Sequence, residues 1–262
     1  MSVMTAAWVA AVMPLALALS LPTLPALDAD LRPSHGFSAA ANWLIPGRVL
    51  LGANPTKGRG SSLERVASIC EEGCRTFVSL QEEAEERDAG YEADARAAAV
   101  GGDDLQFVRY PIQDLRPAKD LAYLEEIVDS LADRVRRGEN IYMHCFAGRG
   151  RTGLVAACLL GTLYDLDADE ALDRIGTYYS LRASYGIAGS RAADGYSPET
   201  VPQRDQVRDF LAARKPKSAD VVPFDGLSCA AFKLDKLATT TPRSLGGWEP
   251  PGTWETPPDA NN

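Results

Sequence analysis

The sequence predicts an α/β fold with one three-layer domain, in which helices cover both faces of a mostly parallel sheet of about four to five strands. Short apolar runs typical of buried strands alternate with longer segments whose apolar residues recur every three or four positions. Such alternation of strand and helix is typical of parallel sheets. The length of 262 residues, with 45% hydrophobic and 24% charged residues, fits one core of moderate size plus appended sequence.

Three elements are predicted in the first half of the domain. They are a short strand closed by Gly52, a helix capped by Ser61 or Ser62, and a buried strand, at residues 48–51, 61–72 and 76–80. The acidic segment 81–100 that follows favours helix. We interpret its charge as a solvated face rather than as an acidic binding site.

The second half repeats the alternation. A strand at 106–110 is followed by a loop at 111–117, because prolines bracket that segment. The strand at 141–144 then lies between two helices that carry apolar stripes. The predicted helices are 121–135, 152–164, 168–181 and 203–213. Residues 182–198 contain several glycines and are predicted to form a mobile surface loop.

We divide the chain into an apolar, flexible N-terminal segment at 1–36, a catalytic domain at 37–214 and a proline-rich tail at 215–262. Residues 1–27 carry Pro14 and Pro22 and no basic residue before the apolar stretch, so a membrane-spanning helix is not expected. A cleaved targeting peptide that ends near 18–20 stays an open alternative to a cytoplasmic location.

Charge and cysteine content restrict the partners. The net charge of -9 argues against nucleic acid and an anionic membrane as partners, so an anionic ligand requires a local site. The five cysteines form no C-x-x-C pair, which predicts free thiols and no zinc site. We expect neither a metal nor another cofactor. The oligomeric state cannot be read from the sequence.

One segment carries the chemistry: His144-Cys-Phe-Ala-Gly-Arg-Gly-Arg-Thr152, between a predicted strand and a predicted helix. A loop relieved by glycines can turn successive N–H groups inward and form an anion nest. The following helix directs its positive end at the same point, and Arg151 adds a planar fork that matches two phosphate oxygens. The predicted phosphate-binding residues of the loop are Phe146, Ala147, Gly148, Arg149 and Gly150, with positive backbone angles expected at both glycines.

The same positive field acts on Cys145. Helix N-termini and cationic neighbours favour a thiolate over a thiol, so we expect Cys145 to be ionised and nucleophilic. In-line attack on phosphorus would give a phosphocysteine, with the amides and Arg151 holding the equatorial oxygens. Thr152 could donate its hydroxyl to the sulfur in the second step, and neither step needs a metal.

The leaving oxygen also requires a proton. Asp114 is the preferred general acid, because its loop follows a strand whose carboxyl end should meet the same sheet edge as Cys145. Asp103 and Asp104 precede their strand, and Asp120 has the position of a helix cap. An Asx role in the loop is the structural alternative for Asp114.

The segment also allows other interpretations. The structural alternative for Cys145 is a buried thiol of the core. His144 could either orient the thiolate or fill the strand. The loop also contains Gly148-x-Gly150-x-x-Gly153, which mimics a dinucleotide-binding fingerprint. A second strand ending in an acidic residue is missing downstream, and no Gly-Lys-Ser/Thr follows, so both nucleotide interpretations are rejected.

The segment resembles the loop of the protein-tyrosine and dual-specificity phosphatase superfamily: His-Cys, five residues, then Arg and Ser or Thr. Similar segments flank it at 43–48, Pro111-Ile-x-Asp114 and Ser197-Pro-Glu-Thr200, and the resemblance spans about 37–214. It implies Cys145 as nucleophile, Arg151 as phosphate ligand, Asp114 as acid and Thr152 as the hydroxyl that relieves the thiolate. Gln203 either places the hydrolytic water or is only a polar residue at a helix start.

Departures from the family pattern suggest a substrate class. The recognition segment of large classical tyrosine phosphatases has no counterpart, which favours the small atypical dual-specificity type. Tensin-like phosphoinositide phosphatases carry two basic residues inside the loop, whereas Phe146 takes the first such place here. The leading hypothesis is a phosphatase for phosphorylated proteins; a lipid, glycan or RNA-end phosphatase and a silent phosphate-binding module are the alternatives.

Overall fold

The computed structural model describes residues 21–57, 61–86, 90–99, 104–182 and 196–214, which belong to one compact unit. Five strands form its sheet: β1 Ala41–Ile45, β2 Val49–Ala53, β3 Thr76–Ser79, β4 Gln106–Arg109 and β5 Ile141–Cys145. The helices of the described residues are α1 Arg32–His35, α2 Ser62–Glu71, α3 Glu83–Glu86, α4 Glu92–Ala98, α5 Leu121–Arg136, α6 Gly150–Tyr164, α7 Ala168–Ser180 and α8 Val201–Arg214.

The strand order is β1-β2-β5-β3-β4, with β5 at the centre. All neighbours run parallel except β1, which pairs antiparallel with β2 and covers that edge of the sheet. The predicted class is therefore confirmed. Because four parallel strands end at one edge, residues that follow β2, β3, β4 and β5 meet there.

Two apolar clusters, one on each face of the sheet, make the three layers. The larger contains the apolar sides of α5, α6, α7 and α8, and the smaller packs α2 and α4 against Trp43, Phe77 and Tyr142. Every residue of α6 from Gly150 to Gly161 is buried. The burial explains why this helix is apolar all round, and it fixes the end of α6 that points at the loop after β5.

Local signals marked the helix starts well. Ser61 accepts a hydrogen bond from the N–H of Leu63, and Asp120 accepts one from the N–H of Tyr123. Both residues satisfy N–H groups that have no partner within the helix. The role of Asp120 as a helix cap is thereby confirmed.

The chain before the predicted domain start at residue 37 packs against the domain. Leu31 is 3% exposed, and Leu21, Leu24 and Leu27 lie against the larger cluster. Arg174 donates to Pro25 O at 2.8 Å. Residues 21–36 are thus packed structure, in contrast to the flexible segment that the sequence suggested. We call residues 21–36 the N-terminal strap.

Some expectations concern residues outside the described ranges, among them most of the loop 182–198 and the tail 215–262 with Cys229. Within the described residues, no helix combines the length and the hydropathy needed to cross a bilayer.

Candidate active site

The predicted strand–loop–helix is present, with β5 ending at Cys145 and α6 beginning at Gly150. Gly148 has φ +67°, and a Cβ there would lie 2.1 Å from Gly52 O of the neighbouring strand. Only glycine fits both conditions. The same expectation is wrong for Gly150, which has an ordinary helical backbone and instead lies where a Cβ would come within 3.1 Å of Gln203.

Cys145 is 3% exposed and lies at the floor of this loop. The preceding residue, His144, is fully buried; its Nε2 lies 2.7 Å from the hydroxyl of Tyr91, and its Nδ1 lies 3.3 Å from Cys145 O. Burial lowers the pKa of His144 to about 4, an effect that Arg151 reinforces and the Cys145 carbonyl opposes. A neutral imidazole with Nδ1–H directed at Cys145 O fits these contacts. His144 thus holds the backbone of the loop.

Arg151 is 1% exposed, and hydrogen bonds hold its guanidinium on one side. Glu85 accepts two hydrogen bonds, from Nη1 at 2.6 Å and from Nη2 at 3.0 Å, and Ile112 O accepts from Nη1 at 3.1 Å. Burial alone would lower the pKa of Arg151, but Glu85, Cys145 and Asp114 hold it above the ordinary value. The charge is therefore permanent, and the bidentate pair fixes its orientation.

Glu85 was missed by the sequence interpretation. The charge run 81–100 was interpreted as a solvated face, and for Glu85 this is wrong, because its carboxylate pairs with the buried guanidinium of Arg151. Burial would raise the pKa of Glu85, but hydrogen bonds from Arg151 and at Glu82 hold it below the ordinary value. A signal existed: segment 81–86 directly follows β3, a parallel neighbour of β5, so its start had to reach the site edge.

Two buried donors in the site have no protein partner among the described residues: Arg151 Nε and Thr152 Oγ1. Thr152 is fully buried, and its hydroxyl is not hydrogen-bonded to Cys145 in this structure. Buried polar groups normally have partners. Two orphaned donors at the start of α6, next to a thiol, therefore fit a site that receives an anion.

Asp114 lies on the proline-bounded loop at the same sheet edge. Its Oδ1 is 2.8 Å from Arg151 Nη2, while its side chain is 60% exposed. The structure therefore brings this carboxyl group to the site and leaves it open to solvent. Of the other candidates, Asp104 lies at the start of β4, Asp120 caps α5, and Asp103 lies outside the described residues.

Gln203 is fully buried and uses both ends of its amide. Its Oε1 accepts from Thr200 N at 3.1 Å, the hydroxyl of Thr200 accepts from Gln203 N at 3.4 Å, and its Nε2 donates to Arg116 O at 3.1 Å. This reciprocal pair is a capping box at the start of α8. The third bond ties α8 to the loop that carries Asp114, so the geometry favours the helix-start role.

The side chains of the loop itself point in different directions. Arg149 is buried: its Nε donates to Tyr196 O at 2.6 Å, and its Nη1 lies 3.5 Å from Glu199. Phe146 is 38% exposed, with Lys57 Nζ 5.1 Å from its ring centroid. Only the backbone of residue 149 can therefore belong to an anion nest.

No group of three or more potential metal ligands occurs among the residues that the structure describes. The chain that follows Cys145 offers the backbone N–H groups of the loop, the guanidinium of Arg151 and the hydroxyl of Thr152. This donor set suits a tetrahedral oxyanion rather than a cation.

Fold and site together define a class. A thiol at the end of the central parallel strand, a five-residue loop and an arginine in the first turn of the next helix are the arrangement of dual-specificity and protein-tyrosine phosphatases, which are phosphoric monoester hydrolases. Residues 38–207 match the family model described as "Swiss Army Knife protein, DSP-PTPase phosphatase domain". The chain belongs to this family.

Individual relatives are more distant. The chain is 30% identical over 146 residues to 067L of Invertebrate iridescent virus 3, which is named as a tyrosine phosphatase, and this alignment covers 54% of each chain. The similarly named 197R of Invertebrate iridescent virus 6 is 25% identical over 128 residues, or 48% of this chain and 43% of 197R. The chain thus spans about half the length of these two relatives.

Solved structures with similar folds include Tk-PTP in its active form and kinase-associated phosphatase. Tk-PTP is 20% identical with a TM-score of 0.47, covering 66% of this chain and 97% of Tk-PTP. Kinase-associated phosphatase is 22% identical with a TM-score of 0.48, and the match covers 63% of this chain and 88% of the kinase-associated phosphatase chain.

Proposed function

We propose that this phosphatase hydrolyses phosphotyrosine on proteins through a phosphocysteine intermediate, with phosphoserine and phosphothreonine as further candidate substrates. One observation carries the proposal: the buried guanidinium of Arg151 is oriented by Glu85, while its Nε has no partner among the described residues. Such a fork, oriented before the ligand arrives, can bind the equatorial oxygens of a phosphoryl group without rotation of the guanidinium.

In the first step, the thiolate of Cys145 attacks phosphorus in line with the leaving oxygen. The S–P bond forms as the P–O bond breaks, and Asp114 gives its proton to the leaving oxygen. Before this step, Asp114 must release Arg151 Nη2, so that the phosphoryl group of the bound substrate takes the place of the carboxylate on the guanidinium. The exposed side chain of Asp114 is consistent with this movement.

In the second step, water attacks the phosphocysteine and Asp114 takes up a proton from that water. The S–P bond breaks, and the thiolate of Cys145 is regenerated. We assign the stabilisation of the departing sulfur to Thr152, whose buried hydroxyl has no other partner among the described residues. Inorganic phosphate leaves.

The rim of the site supports an aromatic phosphate ester. Phe146 on the loop after β5 and Leu115 beside Asp114 are 38% and 52% exposed. These two apolar side chains belong to the two segments that carry the nucleophile and the acid. A phenyl ring above the phosphate would find apolar contacts there.

The loop carries no side chain for a second phosphate. Arg149, its one basic residue between Cys145 and Arg151, is buried and bound to Tyr196 and Glu199. Inositol lipids with several phosphates would need such a group. This geometry favours a phosphoprotein over a polyphosphorylated phosphoinositide, and it weakens the alternative that the sequence left open.

Two variants test the mechanism. With EDTA present, the purified protein should hydrolyse an aryl phosphate, and Cys145→Ser should abolish turnover. Asp114→Ala should lower kcat by about 10²–10⁴-fold while substrate is still bound. A requirement for added metal would refute the mechanism, and an unchanged rate for Asp114→Ala would move the acid role to another group.

One competition assay tests the substrate class. Peptides with phosphotyrosine, phosphoserine or phosphothreonine, a phosphoinositide in micelles, a phosphoglycan and an RNA with a terminal phosphate are offered together. We expect the phosphotyrosine peptide to have the highest kcat/KM. A lead of tenfold or more for any non-protein substrate would overturn the proposed substrate class and leave the reaction type intact.

A further inference from the structure

The carbonyl groups of the loop after Cys145 are held from outside by different parts of the fold. Phe146 O accepts from Asn54 N at 3.1 Å, and Ala147 O accepts from Arg182 Nη1 at 3.3 Å. In a planar trans peptide, the C=O and the following N–H point in opposite directions. Each outward-held carbonyl therefore turns the next N–H toward the other side of the loop. The donors at these carbonyls decide which way the loop amides face.

A third carbonyl of the loop is held in the same way. Ser197 Oγ donates to Arg149 O at 2.8 Å. The next amide, that of Gly150, opens α6 and lies at the positive end of the helix. The nest is thus supported by Asn54 directly after β2, by the segment before α8 and by Arg182, which follows α7.

Arg182 stands out because of what it binds. It is 4% exposed; its Nε donates to Asn42 Oδ1 at 2.7 Å, and its Nη2 donates to Leu51 O at 3.2 Å. Its guanidinium also lies over the ring of Tyr179, 4.6 Å from the centroid. One side chain therefore joins β1, β2 and α7 to the peptide between Ala147 and Gly148.

Among the residues that the structure describes, Arg182 has no carboxylate partner. Of the buried arginines in the described part of the chain, Arg149 pairs with Glu199, Arg151 with Glu85 and Arg174 with Glu170, whereas Arg182 forms no ion pair. A buried cation without a counter-charge is costly. Such an unpaired charge is kept where it stabilises another charged group nearby.

The neighbourhood identifies that group. Burial lowers the pKa of Arg182, and Tyr179, Tyr142 and Cys145 act in the opposite direction. Tyrosine hydroxyls are ordinarily neutral near pH 7, and burial raises the pKa of Tyr142 further. Among these neighbours, the thiolate of Cys145 is therefore the natural counter-charge.

We propose that Arg182 is a positioning residue of the active site: it holds the Ala147–Gly148 peptide with its N–H toward the phosphoryl group, and its charge favours the thiolate of Cys145 from behind the loop. This inference rests on the proposed role of Cys145. It adds a second cation that does not touch the substrate. Arg151 acts from the front of the site and Arg182 from the back.

The test uses the full chain with Arg182→Met, Arg182→Lys and Arg174→Met. Arg174 is a matched control, because it too is a buried arginine, 8% exposed. It lies within α7, pairs with the carboxylate of Glu170 and contacts the N-terminal strap. For each variant, the rate at which iodoacetamide alkylates Cys145 at pH 7 is measured on the folded full chain, and the product is quantified on the Cys145-containing peptide after digestion. Protection by inorganic phosphate is measured in the same samples, and circular dichroism monitors folding.

For Arg182→Met, we expect the alkylation of Cys145 at pH 7 to slow by roughly threefold to tenfold, because the thiolate loses a nearby cation. Phosphate protection and kcat/KM should weaken on the order of tenfold to a hundredfold, in line with the loss of an oxyanion contact. Arg182→Lys keeps the charge but cannot span three acceptors, so it should retain the alkylation rate and still weaken phosphate protection. Arg174→Met should change neither readout, although it lowers stability.

The proposal is overturned if Arg182→Met shows the alkylation rate and the phosphate protection of Arg174→Met. If Arg182→Met does not fold, Arg182→Lys decides, and phosphate protection at the level of the unmodified chain would overturn the positioning role. Neither readout needs turnover. Failure of the proposed substrate class would leave both readouts in place and is therefore distinguishable from failure of this inference.

Discussion

Acid should destabilise this domain well above the range in which carboxylates titrate, because both of its histidines are buried as neutral groups. The chain has two histidines, His35 and His144, with 1% and 0% exposure. Burial lowers the pKa of each to about 4, helped by Arg174 at His35 and by Arg151 at His144. In the unfolded chain both return to about 6.5. The unfolded state therefore binds more protons between pH 6.5 and pH 4, and stability falls as the pH falls through that window.

The magnitude follows from the two pKa values. The difference between 6.5 and about 4 corresponds to ~3.4 kcal/mol for one histidine once the pH lies below both values. At pH 5 about 2 kcal/mol per histidine is already lost. The pKa of Glu85 and of Glu139 is held below the ordinary value, so their contribution is lost only at lower pH. The free energy of unfolding should thus fall by roughly 3–4 kcal/mol between pH 7.5 and pH 5.0.

Urea unfolding followed by tryptophan fluorescence at pH 7.5, 6.0 and 5.0, at constant ionic strength, measures this fall. His35→Phe is the control, because a phenyl ring can keep the stack on Tyr178, whose centroid lies 4.1 Å from that of His35. This variant should lose about half of the pH dependence. Equal free energies of unfolding at pH 7.5 and 5.0, or a full slope in His35→Phe, would refute the reasoning.

Two further predictions concern the support of the site and of the domain. Glu85→Gln should lower kcat/KM on the order of tenfold or more and raise the apparent Kd for inorganic phosphate, because the guanidinium of Arg151 loses its charged partner. Glu92→Gln, which breaks the exposed ion pair with Arg109, is the control. Equal kinetics of the two variants would contradict the role assigned to Glu85. Deletion of residues 1–36 should cost on the order of 3–5 kcal/mol relative to deletion of 1–20, because it uncovers the site of Leu31 and removes the strap; indistinguishable urea midpoints would show that the strap adds nothing.

Much of the site could be predicted because its parts are close in the sequence. Cys145, Gly148 and Arg151 lie within one turn between a strand and a helix, so local conformation brings them together. Asp114 was predictable by one more step, since its loop follows β4 and parallel strands end at the same edge. The expectation for Gly150 was wrong, because the helix already begins there and its lack of a side chain serves packing against Gln203.

The groups that support the site could not be found in this way. Glu85 is separated from Arg151 by 66 residues, and Arg182 is separated from Ala147 by 35. Nothing in the local pattern distinguishes Glu85 from the other acids of its charged run. Likewise, the sequence places Arg149 in the loop but does not show the direction of its side chain, which packing turns toward Glu199.

The sequence by itself determined the alternation of strands and helices, the starts of the helices and the candidates for the reacting groups, because each depends on interactions between residues a few positions apart. Only the tertiary structure decided which distant side chains orient the guanidinium of Arg151, which ones hold the loop carbonyls, and that residues 21–36 pack against the domain. These contacts depend on how helices and strands pack against one another. Burial then selects which charges are paired, and a pattern of residue types along the chain does not contain that information.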